Sequence, residues 1–133
     1  MIAVKSSVTT PEAPRHLFAY GTLVDPLCLE AVLGHKHLGE TLAARLRGYR
    51  RISESGYPYP FIVEAARSCV DGLVVMDLSP YDLQALDRYE EVESGVYRRV
   101  SVQVEAWGCG PVRMGLQADV YVGGAALVAS TAR

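Results

Sequence analysis

Cysteine is scarce in this chain. Only Cys28, Cys69 and Cys109 occur in 133 residues, widely spaced and with no Cys-x-x-Cys pair. An odd, scattered set makes neither a disulfide framework nor a zinc knuckle. A reducing, cytoplasmic compartment is the simplest expectation. No apolar run approaches the roughly 18 residues that a membrane-spanning helix needs. Met1–Lys5 does not read as the start of a signal peptide, so no membrane partner is expected. Charge of one sign is also lacking: 13 basic and 15 acidic residues leave a formal net charge of −2. A dedicated nucleic-acid binder should be clearly basic, so no nucleic-acid partner is expected. The glycine spacings of a nucleophile elbow and of a P-loop are both missing, which leaves serine-hydrolase and nucleotide-binding readings without support.

What is present describes one folded unit. The length matches a single domain. Half the residues are hydrophobic and 21% are charged, which excludes disorder for most of the chain. Residues 1–15 read as a flexible leader, 16–124 as the domain and 125–133 as a C-terminal tail. Leu17–Tyr20 is a short apolar run ending at Gly21, the pattern of a buried strand entering a loop. Asp25 and Pro26 then start a helix as N-cap and first helical residue, and Gly34 stops it. Glu40–Ile52 alternates as a strand with a break at Gly48. Phe61–Glu64 and Val70–Leu78 read as two further strands, the second rich in β-branched residues. Ser79, Pro80 and Asp82 open a second helix running to about Glu91. Residues 96–106 alternate, with Val96, Val100, Val102 and Val104 against Tyr97, Arg99, Ser101, Gln103 and Glu105. A turn at Gly108–Pro111 leads to a last strand, about Val112–Val122. Strands outnumber helices and short turns join them. The expected fold is therefore α+β, with a small, mostly antiparallel β-barrel and one or two flanking helices.

Two places carry candidate chemistry. Leu83, Leu86 and Glu90 fall on one helix face at i, i+3 and i+7, so the face that buries the leucines also carries Glu90. A carboxylate aimed at apolar packing is costly unless paired or functional. The alternative is that Glu90 only caps or salt-bridges the helix end. The second place is Tyr20-Gly21-Thr22-Leu23, where a glycine lets the backbone turn and leaves amides free to meet an anion. An ordinary strand-to-helix turn would look the same. His35, His37 and Glu40 have a spacing that a zinc ion can use, but they follow Gly34 in a loop, and no metal site is expected. Arg45, Arg47, Arg50 and Arg51 read as solvated strand positions. Tyr49, Tyr57, Tyr59, Tyr81 and Tyr89 read as packing, as do Cys28 and Cys69.

Several segments occur together in order: Leu17–Leu23, Gly48-Tyr49-Arg50, Tyr59-Pro60, Leu86-Asp87-Arg88-Tyr89-Glu90, Tyr97-Arg98-Arg99 and Asp119–Val122. This ordered set resembles the gamma-glutamylcyclotransferase-like family, including its gamma-glutamylamine and avirulence-induced-gene branches. The resemblance implies a small antiparallel barrel with a cavity and no cofactor. It implies that Tyr20, Gly21, Thr22 and Leu23 hold the α-carboxylate and amino end of a γ-glutamyl group, with Glu90 as general acid/base. Tyr97 and Tyr121 are further expected pocket residues, and Arg50 a third. The implied reaction cyclises the substrate to 5-oxoproline and releases an amine. The substrate is a small γ-glutamyl molecule, free or carrier-bound, and the protein a monomer or weak homodimer. The alternative is a non-catalytic small-molecule-binding or interaction domain of the same fold. The family often has glycine after the glutamate, where this chain has Glu91. The cyclisation reading requires Glu90 to line a pocket within reach of the Gly21 loop.

Overall fold

The computed structural model describes residues 15–53, 59–107 and 113–130. The expected leader up to residue 14 and the 108–111 turn lie outside them. In chain order the elements are β1 (Arg15–Ala19), α1 (Pro26–Leu33), β2 (Thr41–Ile52), β3 (Phe61–Leu78), α2 (Pro80–Tyr89), β4 (Tyr97–Trp107), β5 (Arg113–Gly123) and α3 (Ala125–Ser130). The strands close into a barrel in the order β1-β3-β2-β4-β5. Neighbours are antiparallel except β1 and β5, which meet in parallel and close the ring. The mixed α+β fold agrees with the sequence reading, with a third helix beyond it: residues 125–130 form α3, and its Leu127 is buried in the core.

Local signals explain most boundaries. Asp25 accepts a hydrogen bond from the Leu27 N–H, and Gly34 closes α1 in the left-handed region at φ 82°. Ser79 and Asp82 form a reciprocal capping box at the start of α2, with Pro80 in the first turn. One expectation is corrected. Phe61–Glu64 and Val70–Leu78 are two ends of the single strand β3. Arg47 faces Cys69 while Tyr49 faces Glu64, so residues 65–68 oppose only Gly48 of β2, at φ 88°. The lost alternation there marks a bulge, not a connection. Cys69 beside it is exposed, against its expected role in packing.

The core has two parts separated by the barrel wall. Phe18, Leu46, Ile62, Val74, Val104 and Val120 belong to a cluster built almost wholly from strand residues, which fills the barrel. Leu17, Ala19, Phe61, Val75 and Leu78 face the other way, against Leu29 of α1 and Leu83 and Leu86 of α2. Strand β1 is thus buried on both faces, which is why its sequence is a continuous apolar run. Leu86 is fully buried, worth about 1.5–3 kcal/mol. That burial seats α2 against the outer face of the barrel wall and sets where Glu90 lies. Among the described residues no helix is long and apolar enough to cross a membrane.

Candidate active site

Between the β1–α1 turn and the end of α2 lies a cavity of about 230 Å³. Tyr20, Gly21, Thr22 and Leu23 line one side, Glu90 and Glu91 another, and Tyr97 and Tyr121 also contribute. Glu90 and the Gly21 loop therefore border one space, although 67 residues or more separate them in sequence. Arg50 does not join them. It is exposed and pairs with Val63 across β2 and β3. Its neighbour Arg51 reaches the loop instead, donating to the Tyr20 carbonyl at 2.8 Å with its guanidinium 5.7 Å from the Tyr20 ring centre. Side chains alternate along a strand, so adjacent arginines point to opposite faces.

The loop is a single 3-10 turn, closed by hydrogen bonds from the Val24 N–H to Gly21 and from the Asp25 N–H to Thr22. The first N–H groups of such a turn have no acceptor within it. A side chain at Gly21 would meet no atom within 4 Å, so the turn faces open space.

Glu90 follows the last residue of α2. Its N–H still bonds the Leu86 carbonyl at 2.9 Å, so its side chain stays in phase with Leu83 and Leu86. Burial pushes its carboxyl up to about 7. Among the described residues none donates a hydrogen bond to it or pairs with it. A carboxyl with that affinity holds and releases a proton with equal ease near neutral pH.

Glu91 then turns the chain. Its N–H bonds the Arg88 carbonyl and the Val92 N–H bonds Asp87, the two hydrogen bonds of a Schellman ending. Such an ending needs a left-handed residue, and Glu91 supplies it at φ 54°. The substitution of glutamate for glycine has thus left the turn intact, at a backbone cost of about 1 kcal/mol. Glu91→Gly is expected to raise stability by about 1 kcal/mol and the melting temperature by about 4 °C, read by thermal unfolding. An unchanged or lower melting temperature would contradict a strained Glu91.

The tyrosine hydroxyls are held by the protein. Tyr20 donates to the Tyr121 carbonyl, Tyr97 to the Pro60 carbonyl and Tyr121 to Asp87. Burial, with Tyr97 and Glu90 adding to it, holds the Tyr20 hydroxyl well above an ordinary phenol. Burial and the Asp87 carboxylate do the same for Tyr121. Behind Tyr121 runs an ionic chain. Arg99 grips Asp87 with two hydrogen bonds, 2.8 and 3.1 Å, and donates to Asp119 at 2.7 Å. Arg15 holds the other Asp119 oxygen at 2.8 Å. Asp87 lies one helical turn before Glu90, so this chain ties the catalytic candidate's helix to β4 and β5.

Sequence reasoning missed Tyr59, Pro60 and Tyr89 as lining residues, and Arg99 with its aspartates as support. Tyr89 adjoins Glu90, and its hydroxyl lies 2.9 Å from the Thr22 hydroxyl. The sign of the ionic chain was Asp119, a charge inside the apolar run Ala118–Val122, which demands a buried partner. His35 and His37 face separate partners, Asp82 at 2.7 Å and the Met76 carbonyl at 2.6 Å. Among the described residues no group of three His, Cys, Asp or Glu side chains forms a metal site.

A small barrel with a helix-end carboxyl facing a glycine turn across one cavity defines the class. Comparison with known proteins supplies the family. The family model described as gamma-glutamyl cyclotransferase, AIG2-like, matches residues 17–131, and the chain belongs to that family. Protein AIG2 C of Arabidopsis thaliana is 31% identical over 98 residues, covering 73% of this chain and 56% of that protein. AIG2-like protein D of the same plant is 33% identical over 88 residues, covering 66% and 55%. The chain thus spans about half the length of the curated relatives it matches. A solution structure of another Arabidopsis thaliana protein aligns with TM-score 0.68 and 27% identity over 82% of this chain and 68% of that one. A solved chain titled gamma-glutamyl cyclotransferase aligns with TM-score 0.64 over 82% and 66%, and at 18% identity it shows the shared fold.

Proposed function

We propose that this protein is a γ-glutamyl cyclotransferase that converts a γ-glutamyl amide to 5-oxoproline and a free amine, without metal or organic cofactor, in the cytoplasm. One observation carries the reading: Glu90, its carboxyl lifted to about 7, lines the same cavity as the Tyr20–Leu23 turn. In this reading the turn's backbone amides hold the substrate α-carboxylate. Glu90 takes a proton from the α-amine, whose nitrogen then attacks the γ-carbonyl carbon. The new C–N bond closes the five-membered ring. The ring nitrogen gives its remaining extra proton to water as the amide C–N bond breaks, and Glu90 returns its own proton to the departing nitrogen. Nucleophile and carbonyl belong to one molecule, so the protein needs no nucleophile of its own. Holding them in a bent, near-attack geometry is worth effective molarities up to about 10⁵–10⁸ M. Acid–base help from a placed carboxyl adds about 10²–10⁴-fold.

The test is release of 5-oxoproline from a panel of γ-glutamyl amines and γ-glutamyl amino acids, with the amine measured in parallel. Equal amounts of both products from at least one substrate are expected. Tight binding of the panel with no release would instead point to a non-catalytic binding domain.

A further inference from the structure

The cavity lining carries two carboxyls, Glu90 and Glu91, and among the described lining residues no lysine, arginine or histidine. A γ-glutamyl group brings an α-carboxylate into that space, and carboxylates nearby would repel it. A cation stands just behind the loop instead. Arg51, one residue before the end of β2, donates through Nη2 to the Tyr20 carbonyl at 2.8 Å. Its guanidinium also lies over the Tyr20 ring, 5.7 Å from the ring centre, where the face of the ring attracts a cation. Tyr20 is a firm support: it is buried, and its hydroxyl donates to the Tyr121 carbonyl. Tyr20 and Gly21 line the cavity, whereas Arg51 does not. These contacts act on one peptide unit. Among the described residues no peptide bond is cis. In a trans peptide the carbonyl and the following N–H point in opposite directions. Fixing the Tyr20 carbonyl therefore fixes the Gly21 N–H, which points away from Arg51. Among the described residues no group accepts a hydrogen bond from that N–H.

We propose that Arg51 is a positioning residue for the substrate: it aims the Gly21 N–H into the cavity and lends the substrate α-carboxylate, through that peptide, the positive charge that the lining lacks. The inference rests on the cyclotransferase reading and adds a residue to it. A cation on a carbonyl oxygen polarises the peptide, which strengthens its N–H as a donor to an anion. Arginine suits this better than lysine, because its planar fork stacks on a ring while it donates to a carbonyl. Arg51 acts only through the Tyr20–Gly21 peptide and touches no reacting atom, so its effect falls on substrate binding and not on the acid–base step at Glu90.

Two compounds that differ only in the α-carboxylate decide the point: γ-glutamyl-n-butylamide, which has it, and N-butyl-4-aminobutanamide, which lacks it. Arg51→Gln is expected to raise KM for 5-oxoproline release from the first by about tenfold, with kcat within about twofold. The rise of kcat through about pH 7 should be kept. Arg51→Lys keeps the charge without the fork and is expected to raise KM by about threefold. Calorimetry is done on the Glu90→Gln background, where turnover is suppressed. There Arg51→Gln should weaken binding of γ-glutamyl-n-butylamide by about tenfold and leave that of N-butyl-4-aminobutanamide unchanged. An arginine that only braces the fold would lower kcat or weaken both compounds alike. Circular dichroism checks that each variant is folded. An unchanged KM in folded Arg51→Gln, or equal weakening of both compounds, overturns the inference and leaves the cyclotransferase reading standing. If γ-glutamyl-n-butylamide is bound but not turned over, calorimetry still decides the role of Arg51, while the product panel decides cyclisation. Binding of the two compounds that does not differ, or no binding of either, overturns the inference.

Discussion

Glu90→Gln is expected to lower kcat for 5-oxoproline release by about 10²–10⁴-fold, the usual worth of a placed acid–base group. Glutamine keeps the shape and removes the exchangeable proton. The wild-type rate should rise with pH through about 7, because the carboxyl must lose its proton before it can accept one from the α-amine. The residual activity of the variant should lack that rise. Stability should move the other way. The folded Glu90 binds its proton more tightly than the unfolded one, whose ordinary value is 4.5. Between about pH 4.5 and 7 the folded state holds more protons, so stability falls as pH rises and the loss is complete above 7. A rise from 4.5 to about 7 corresponds to about 3 kcal/mol. Glu90→Gln should therefore unfold at higher denaturant than wild type at pH 8, with the advantage gone near pH 4.5. A variant that is active and no more stable at pH 8 would remove Glu90 from the mechanism.

Arg99→Met is expected to cost about 3 kcal/mol, near the lower end for breaking a buried ion pair, and about 10 °C in melting temperature. Arg99 binds two aspartates, and the Asp119 side chain is only 3% exposed. Arg15 remains on Asp119, and Asp87 keeps some water, which moderates the loss. Activity should fall as well, by about tenfold at temperatures where the variant is fully folded. Asp87 would no longer be fixed to β4, so the Tyr121 hydroxyl and the end of α2 would lose their anchor. Adding Asp87→Asn to Arg99→Met should cost much less than it costs alone, because the stranded charge goes with it. Thermal unfolding of the two single variants and the double variant measures the coupling. Additive losses would mean that the pair is not an energetic unit.

Local rules made much of this protein legible. The capping box at Ser79 and the proline after it announced α2, and the Leu83–Leu86–Glu90 spacing put a carboxyl on its buried face. The continuous apolar run at Leu17–Tyr20 announced a strand buried on both sides. These are one-dimensional signals, since caps and periodicity act within a few residues. Where several turns of chain shared one irregularity, they failed. The bulge opposite Gly48 broke the alternation of β3 and split it in two. Strand β4 showed the same limit. Its alternation placed Tyr97 on the face that carries exposed Ser101 and Gln103, yet Tyr97 is buried because that end of the face is covered.

The sequence by itself determined most of the elements, the class of fold and the two segments that border the cavity, because each depends on neighbours within about one turn of helix or one strand. Tertiary structure alone decided which side chains meet there. Arg51 rather than Arg50 holds the Tyr20 carbonyl, because one residue along a strand reverses the face. The affinity of Glu90 for its proton came from burial beneath chain that is distant in sequence. The tyrosine hydroxyls became acceptors only when Asp87 and the carbonyls of Tyr121 and Pro60 took their protons. Packing between distant segments sets desolvation and hydrogen-bond direction, and those two quantities turn a carboxyl at a helix end into a candidate acid and base.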